Sequence, residues 1–286
     1  MPFRHVAQLV KETVLAWQDD YAQSMGAAIA YYAMFSIAPL LVIVVSIAGV
    51  IFGNEAAQNE IVAQLRGLMG DEGAHAVQGL LASAQLGGSS IFATIFSVLV
   101  LVFAATTVFA ELQDAFDRIW RAPARAKTSG MWSLLRARIV SFGMMLAIAF
   151  LLMTSLVLSA AIAAIGKWWE PYFGQHESVL QVFNFLISFA LITVLFALTY
   201  KYMPRVHVKW RDVWIGSAVT SILFEVGKLL IGIYIGKSGV TSGFGAAASL
   251  VVMLIWIYYS AQIFLLGAEF TWVYAKRFGS LKDTQA

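Results

Sequence analysis

The 286-residue chain contains no cysteine, and only 12% of its residues are charged. The absence of cysteine excludes a disulfide scaffold, a thiolate metal site and cysteine chemistry. Because a soluble domain carries about 25% charged residues, the low charge excludes a water-soluble globule. Aromatic residues make up 14% of the chain, which excludes an intrinsically disordered protein. The chain is therefore suited to a non-aqueous environment.

Long apolar runs dominate the sequence, whose mean hydropathy is +0.78. About 20 apolar residues span the roughly 30 Å hydrocarbon core of a bilayer. Only two of the 35 charged residues, Glu225 and Lys228, lie within the runs, and the runs are continuous rather than alternating, unlike porin strands. We predict an all-α, polytopic membrane protein with one membrane domain, 28–270. Its six transmembrane helices are predicted at 28–53, 91–110, 139–165, 178–200, 213–235 and 242–268.

The lysines and arginines between these spans are distributed unequally. Fifteen of the 19 lie in the N-terminal segment, the 111–138 and 201–212 connections and the C-terminal tail, 271–286. The connections on the other side hold only Arg66, Lys167 and Lys237. Because positive loops stay on the cytoplasmic side, both termini are predicted to be cytoplasmic.

The N-terminal segment, 1–27, is predicted to be amphipathic, and residues 1–20 lack the apolar run of a cleavable signal. One interpretation is a helix lying in the membrane interface. The other is a helix packed on the underside of the bundle. The apolar residues that recur at helical spacing are Phe3, Val6, Val10, Val14 and Trp17.

The 54–90 connection, on the external side, is the longest. Its apolar residues form two stripes, which predict an external helical hairpin between the first two membrane helices. Gly70 is predicted to end the first helix of the hairpin, and Asp71 to cap the second. Such a hairpin either covers a vestibule or serves as a connector.

The two charges inside a predicted span, Glu225 and Lys228, are the first candidate functional residues. Glu225 lies about 18 Å from Val213 along the fifth span, which places it near the bilayer midplane. A separation of three residues puts both charges on one helix face, close enough to pair. Because charges at this depth are costly and often functional, we predict a substrate or ion path. The alternative is a neutralised pair that locks the helix to its neighbours.

Polar and aromatic side chains of the sixth span lie at a similar depth. Tyr258 and Tyr259 are candidates to line the same path, because a buried tyrosine hydroxyl needs a partner. Gln262, one turn nearer the cytoplasm, is predicted to extend this polar set. Trp256 is interpreted as a packed core aromatic.

A second charged set lies where helices leave the membrane on the cytoplasmic side. Glu111, Asp114 and Arg118 recur on one face of the helix that follows the second span, and Glu269 closes the sixth span. They are interpreted either as a cytoplasmic gate or as a structural salt-bridge network.

Proline and glycine positions indicate irregular points in the helices. Pro39, inside the first span, predicts a kink or a broken helix. Gly236, Gly239 and Gly243 predict a hinge or a tight turn between the fifth and sixth spans. The small-residue spacing there is compatible with a homo-oligomer, although such spacing is common in membrane proteins.

The sequence gives no pattern for metal or nucleophilic chemistry. Its four histidines, His5, His75, His176 and His207, are dispersed without metal-type spacing. Nucleotide-binding loops and nucleophile elbows are absent as well. Basic connections beside the spans are explained by topology and anionic lipid. We expect no metal, no cofactor and no nucleic-acid partner, and we expect membrane lipids as partners.

Five segments carry a family resemblance: AYYAMFSIAPLL at 30–41, ELQDAFDRIW at 111–120, YKYMP at 200–204, VKWRD at 208–212 and IWIYYSAQIFLLGAEF at 255–270. They resemble the YihY/BrkB family of bacterial inner-membrane proteins, which are sometimes labelled virulence factor BrkB or ribonuclease BN. The resemblance implies a six-helix, multi-pass protein of the inner (plasma) membrane whose biochemical role is unsettled. An envelope-related role is compatible with the family name but gives no substrate.

The residues do not support the ribonuclease label of that family. Hydrolysing RNA usually requires clustered metal ligands or an acid–base pair in water, and the acidic residues here are scattered or lie inside the membrane. We therefore expect a protein that is not an enzyme. Two hypotheses follow: a transporter or flippase-like protein for an amphipathic solute or envelope lipid, and a non-transporting envelope scaffold.

Overall fold

The computed structural model describes residues 3–85, 99, 107–108, 110–122, 177–206, 208–237, 244 and 247–282. Over these residues the fold is all-helical, as predicted, and contains no strand. The predicted spans at 91–110 and 139–165 lie almost entirely outside the described residues. The helices are α1 (Phe3–Asp19), α2 (Ala22–Phe52), α3 (Asn54–Gln85), α4 (Glu177–Tyr202), α5 (Trp210–Lys237) and α6 (Ala248–Arg277), with a further helical segment, the 110–119 helix.

Four of the six predicted spans coincide with helices of the structure: α2, α4, α5 and α6. Within the described part of the chain, α5 and α6 have the length and apolar composition needed to cross a membrane. Each extends beyond its predicted span because polar and charged end residues continue the helix. Arg211 and Lys237 do so in α5, and Lys276 does so in α6.

The prediction of two short helices between the first two spans is wrong. Residues Asn54–Gln85 form the single helix α3, which continues through Gly70 and Asp71. Ile61 and Leu65, before Gly70, and Val77 and Leu81, after it, all pack in the same core cluster, so the packing of α3 continues across the glycine. A glycine inside a helix costs only about 1 kcal/mol relative to alanine, and Gly70 alone does not end the helix.

A tight reversal joins α2 to α3, so these two helices form the hairpin of this region. The single residue between them, Gly53, has φ 85° and ψ 144°. Such a backbone conformation is open essentially to glycine alone. From this turn α3 packs against α2, α5 and α6. Its buried residues Val77 and Leu81 share a core cluster with Ile235 of α5 and Met253 of α6.

A second buried cluster, of aromatic rings and hydroxyl groups around Tyr200, joins α4, α5 and α6. The fully buried Tyr200 of α4 donates a hydrogen bond to the backbone oxygen of Phe264 at 2.8 Å. Its hydroxyl oxygen lies 3.1 Å from that of Thr220 on α5. Phe116 of the 110–119 helix packs against the rings of Tyr200 and Phe264. One tyrosine thus links three helices and supports a fourth.

Glycines bring α5 and α6 into close contact through a reciprocal arrangement. A methyl group added at Gly216 of α5 would overlap the side chain of Thr271 on α6. One added at Gly267 of α6 would overlap Thr220 of α5. Small residues of this kind let membrane helices approach closely. The α5–α6 interface therefore has no room for a side chain at either glycine.

Candidate functional site

The predicted ion pair of the fifth span is present. Lys228 Nζ lies 2.8 Å from Glu225 Oε2, and the two side chains are only 19% and 18% exposed. Glu225 stands 15 residues after the first residue of α5 and 12 before the last, so the pair lies near the middle of a helix able to cross a membrane. The spacing of three residues positions both side chains on one face, as the sequence predicted.

Tyr259 of α6 lies at the level of this pair. It packs against Gly227, where an added Cβ would lie 3.1 Å from Tyr259 Cε1 and 3.4 Å from its hydroxyl oxygen. Gly227 stands between the two charged residues in sequence, so Tyr259 lies at the same depth as Glu225 and Lys228. Tyr258 is 37% exposed and lies on a different side of α6, because successive helix residues are about 100° apart.

The contacts of Gln262 are with α2. Its Nε2 donates to the backbone oxygen of Gln23 at 3.3 Å, and the same amide lies against Gly26. Gln262 therefore belongs to the α2–α6 contact, and this hydrogen bond does not extend the polar set of the ion pair. Trp256 packs edge-to-face on Phe224, with ring centroids 6.2 Å apart, in line with its interpretation as a core aromatic.

The second charged set is organised around a residue that the sequence did not single out, Asp20. Its carboxylate accepts a 2.6 Å hydrogen bond from Arg121 Nη1, and its side chain is 4% exposed. Arg118 Nη1 donates to the backbone oxygen of Asp20 at 3.3 Å. The Asp20 carboxyl also neighbours that of Glu269, which is fully buried. The structure thus joins Arg118 and Glu269 through Asp20.

The two other members of the predicted gate do not join this cluster. Asp114 is exposed and Glu111 is half-buried, and neither forms an ion pair with another described residue. Asp117, on the same helix, pairs instead with Arg205 at 3.2 Å. The i,i+4 spacing of Asp114 and Arg118 suggested a local pair, whereas Arg118 turns to the start of α2.

The carboxyls of Asp20 and Glu269 are both buried in the Asp20 cluster. Among the described residues, Arg121 is the one guanidinium in contact with a carboxylate oxygen of this pair, whereas Arg118 contacts the backbone oxygen of Asp20. Asp20 Oδ2 and both Glu269 oxygens are buried and have no hydrogen-bond donor among the described residues. An adjacent pair of carboxyls can hold one proton between them, because two like charges at contact distance disfavour full ionisation. The cluster is chemically suited to binding a proton.

The predicted hinge residues are placed only in part. The helix α2 continues without a break past Pro39, so a bend there stays a prediction. Gly236 lies in the last turn of α5. Gly239 and Gly243 lie outside the described residues. No group of three or more metal-ligating side chains occurs within the part of the chain that the structure describes.

Known proteins resemble this chain over most of its length. The sequence model of the family described as virulence factor BrkB matches residues 13–286. A UPF0761 membrane protein of Tolumonas auensis is 32% identical over 181 residues, which cover 62% of this chain and 56% of that protein. One of Verminephrobacter eiseniae is 27% identical over 275 residues, covering 94% and 62%.

A third relative, from Pseudomonas aeruginosa, is 27% identical over 250 residues, covering 87% of this chain and 58% of that protein. The chain thus spans less than two thirds of the length of each of these relatives. No solved structure matches it. The family match covers nearly the whole chain, and the relatives are named as membrane proteins, in agreement with the apolar helices α5 and α6. The chain belongs to the YihY/BrkB family of membrane proteins.

Proposed function

We propose that this protein is a transporter or flippase-like protein for an amphipathic solute or envelope lipid of the bacterial inner membrane. The observation that carries the proposal is the Glu225–Lys228 pair near the middle of α5. A charged side chain at the bilayer centre costs roughly 2.5–3.5 kcal/mol even on insertion scales, and such residues often mark ion and substrate paths. Two charged side chains at this depth therefore support a path for an ion or a charged substrate.

In this proposal the two side chains have different roles. Lys228 attracts the anionic headgroup of the substrate, and Glu225 binds the coupling proton or cation. Tyr259, packed at the same level, lines the path beside them. The sequence contains no nucleotide-binding motif, so an ion gradient or the gradient of the substrate drives movement. The proposal includes no hydrolytic step.

The role of Glu225 can be tested with purified protein in vesicles of phosphatidylethanolamine, phosphatidylglycerol and a fluorescent phosphatidylglycerol. Dithionite, which bleaches only the outer leaflet, reports the rate of lipid movement. We expect the protein to accelerate this movement, and Glu225→Gln to change its pH dependence because the exchangeable carboxyl is lost. Glu12→Gln, at a half-exposed surface carboxylate, is the matched control. Identical pH profiles for Glu225→Gln and the parent protein would remove Glu225 from the mechanism.

The second candidate function is a non-transporting envelope scaffold. It is favoured by the 2.8 Å contact within the pair, since two charges that neutralise each other on one helix stabilise packing without a substrate. Replacing a buried ion pair by apolar residues is often neutral or stabilising. The double variant Glu225→Leu/Lys228→Leu should therefore fold in both cases. A scaffold retains its cellular phenotype in this variant, whereas a transporter loses lipid movement.

We further propose a multi-pass inner-membrane topology with six spans and both termini in the cytoplasm. It is supported by the 15 lysines and arginines on the side of the termini against three on the other. Because the chain lacks cysteine, single cysteines can report the topology. In spheroplasts treated with an impermeant maleimide, Lys237→Cys should react at once and Lys282→Cys only after permeabilisation. The reverse order of labelling would contradict the proposed orientation.

A further inference from the structure

The amphipathic helix α1 is docked on the C-terminal part of α6 through one of its faces. Leu9 and Ala16 are buried against Val273 and Tyr274 of α6. At the edge of this contact Arg277 pairs with Glu12 at 2.8 Å. The same guanidinium bonds to Gln8 at 3.0 Å. These contacts fix how α1 is rotated about its own axis.

A second apolar face of α1 has no protein partner in the described structure. Val6, Val10 and Val14 are 48%, 52% and 39% exposed. They follow one another at intervals of four residues and lie about 100° round the helix from the docked face. Lys11 and Gln18 are exposed on a third, polar side. Docking on α6 therefore accounts for only part of the apolar surface of α1.

The surroundings of α1 identify lipid as the occupant of this second face. The cluster on which α1 docks includes Ile215, in the first turns of α5. There Trp210 and Trp214 are 40% and 44% exposed, and Tyr202 at the end of α4 is 60% exposed. Exposed tryptophan and tyrosine collect where a membrane meets water. The basic residues Lys209, Arg211, Lys276 and Lys282 are exposed at the same end.

We propose that α1 lies in the headgroup region of the bilayer, with Val6, Val10 and Val14 in contact with lipid while Leu9 and Ala16 hold the helix to α6. An amphipathic helix in such a position buries its apolar stripe at the boundary between headgroups and acyl chains. The two sequence interpretations, an interfacial helix and a helix packed on the bundle, then describe two faces of the same helix. The inference does not depend on transport.

The absence of cysteine allows a direct test with full-length protein in phosphatidylethanolamine–phosphatidylglycerol vesicles. Nitroxide labels are attached at single cysteines, Val6→Cys, Val10→Cys and Val14→Cys. Their collision rates with oxygen, which concentrates in lipid, and with a water-soluble nickel chelate are compared. Labels at Lys11→Cys and Gln18→Cys are matched controls on the polar side. We expect the oxygen-to-nickel ratio to be severalfold higher at the three valine positions.

Two outcomes overturn the proposal. Equal ratios at Val10→Cys and Lys11→Cys would show that the valine face is in water. Shielding of the valine positions from both reagents would show that protein covers the face, either a second copy or another partner. Because none of the labelled residues belongs to the α6 contact, the labels leave the docking of α1 intact.

Discussion

Replacing Gly267 by alanine should destabilise the protein by about 1–3 kcal/mol, the usual cost of overpacking a filled core. The added methyl group would lie 2.6 Å from the Tyr200 hydroxyl oxygen and 2.7 Å from Thr220 Cγ2. Neither atom can retreat, because Tyr200 is held by its bond to Phe264 and Thr220 is fully buried. The measurement is the thermal unfolding of detergent-solubilised protein, followed by intrinsic tryptophan fluorescence.

The control for this substitution is Gly232→Ala on α5. No described heavy atom lies within 4 Å of a Cβ built there, so the change adds helix propensity worth under about 1 kcal/mol and causes no clash. Adding Thr220→Ala to Gly267→Ala removes Thr220 Oγ1, the nearest obstructing atom, together with Thr220 Cγ2, and should recover part of the lost stability. An unfolding temperature of Gly267→Ala equal to that of the parent protein would mean that α5 and α6 are farther apart than in the structure.

Replacing Arg121 by glutamine should cost about 2 kcal/mol. Removing one partner of a buried ion pair leaves an uncompensated charge and typically costs 3–5 kcal/mol. The Arg121 side chain is 50% exposed, and water therefore screens part of the loss. The effect remains large because Asp20 and Glu269 are both left buried without this cation. The free energy of unfolding in a mild denaturant series is the quantity to measure.

The ion pair of Arg277 and Glu12, which is more exposed than that of Arg121 and Asp20, provides the control for Arg121→Gln. Arg277→Gln breaks the pair with Glu12, whose side chains are 31% and 48% exposed, and should cost under about 1 kcal/mol. Glu269→Gln, introduced into Arg121→Gln, replaces the buried carboxyl that competes with Asp20 for one proton by a neutral amide and should restore part of the lost stability. Equal losses in Arg121→Gln and Arg277→Gln would show that the Asp20 cluster is solvated.

The sequence located the helices α2, α4, α5 and α6 because charge depletion is a local property. The span predicted at 213–235 corresponds to α5, Trp210–Lys237, whose ends hydropathy misses because Arg211 and Lys237 are charged yet helical. The Glu225–Lys228 contact was predictable for a similar reason, since residues three apart on a helix are neighbours whatever surrounds them. Local spacing was misleading at Gly70, where a stop signal did not end α3, and at Asp114 and Arg118, where Arg118 contacts Asp20 instead.

The Asp20 cluster could not be predicted from local patterns. Asp20 and Arg121 are 101 residues apart, and their contact depends on how the 110–119 helix packs against the start of α2. Within the sequence, Asp20 looks like an ordinary polar residue beside Asp19 at a helix end. The contact of Gln262 with α2 could not be predicted for the same reason, because the neighbour that a side chain faces is set by tertiary packing.

The position of Asp20 has a mechanical consequence. It occupies the joint between α1 and α2, where Tyr21 adopts a left-handed backbone conformation with φ 56°. Arg118 donates a hydrogen bond to the backbone oxygen of Asp20, and Arg121 donates one to its carboxylate. A tilt of the 110–119 helix therefore displaces both α1 and α2. Any rearrangement within the membrane that moves the 110–119 helix also shifts α1.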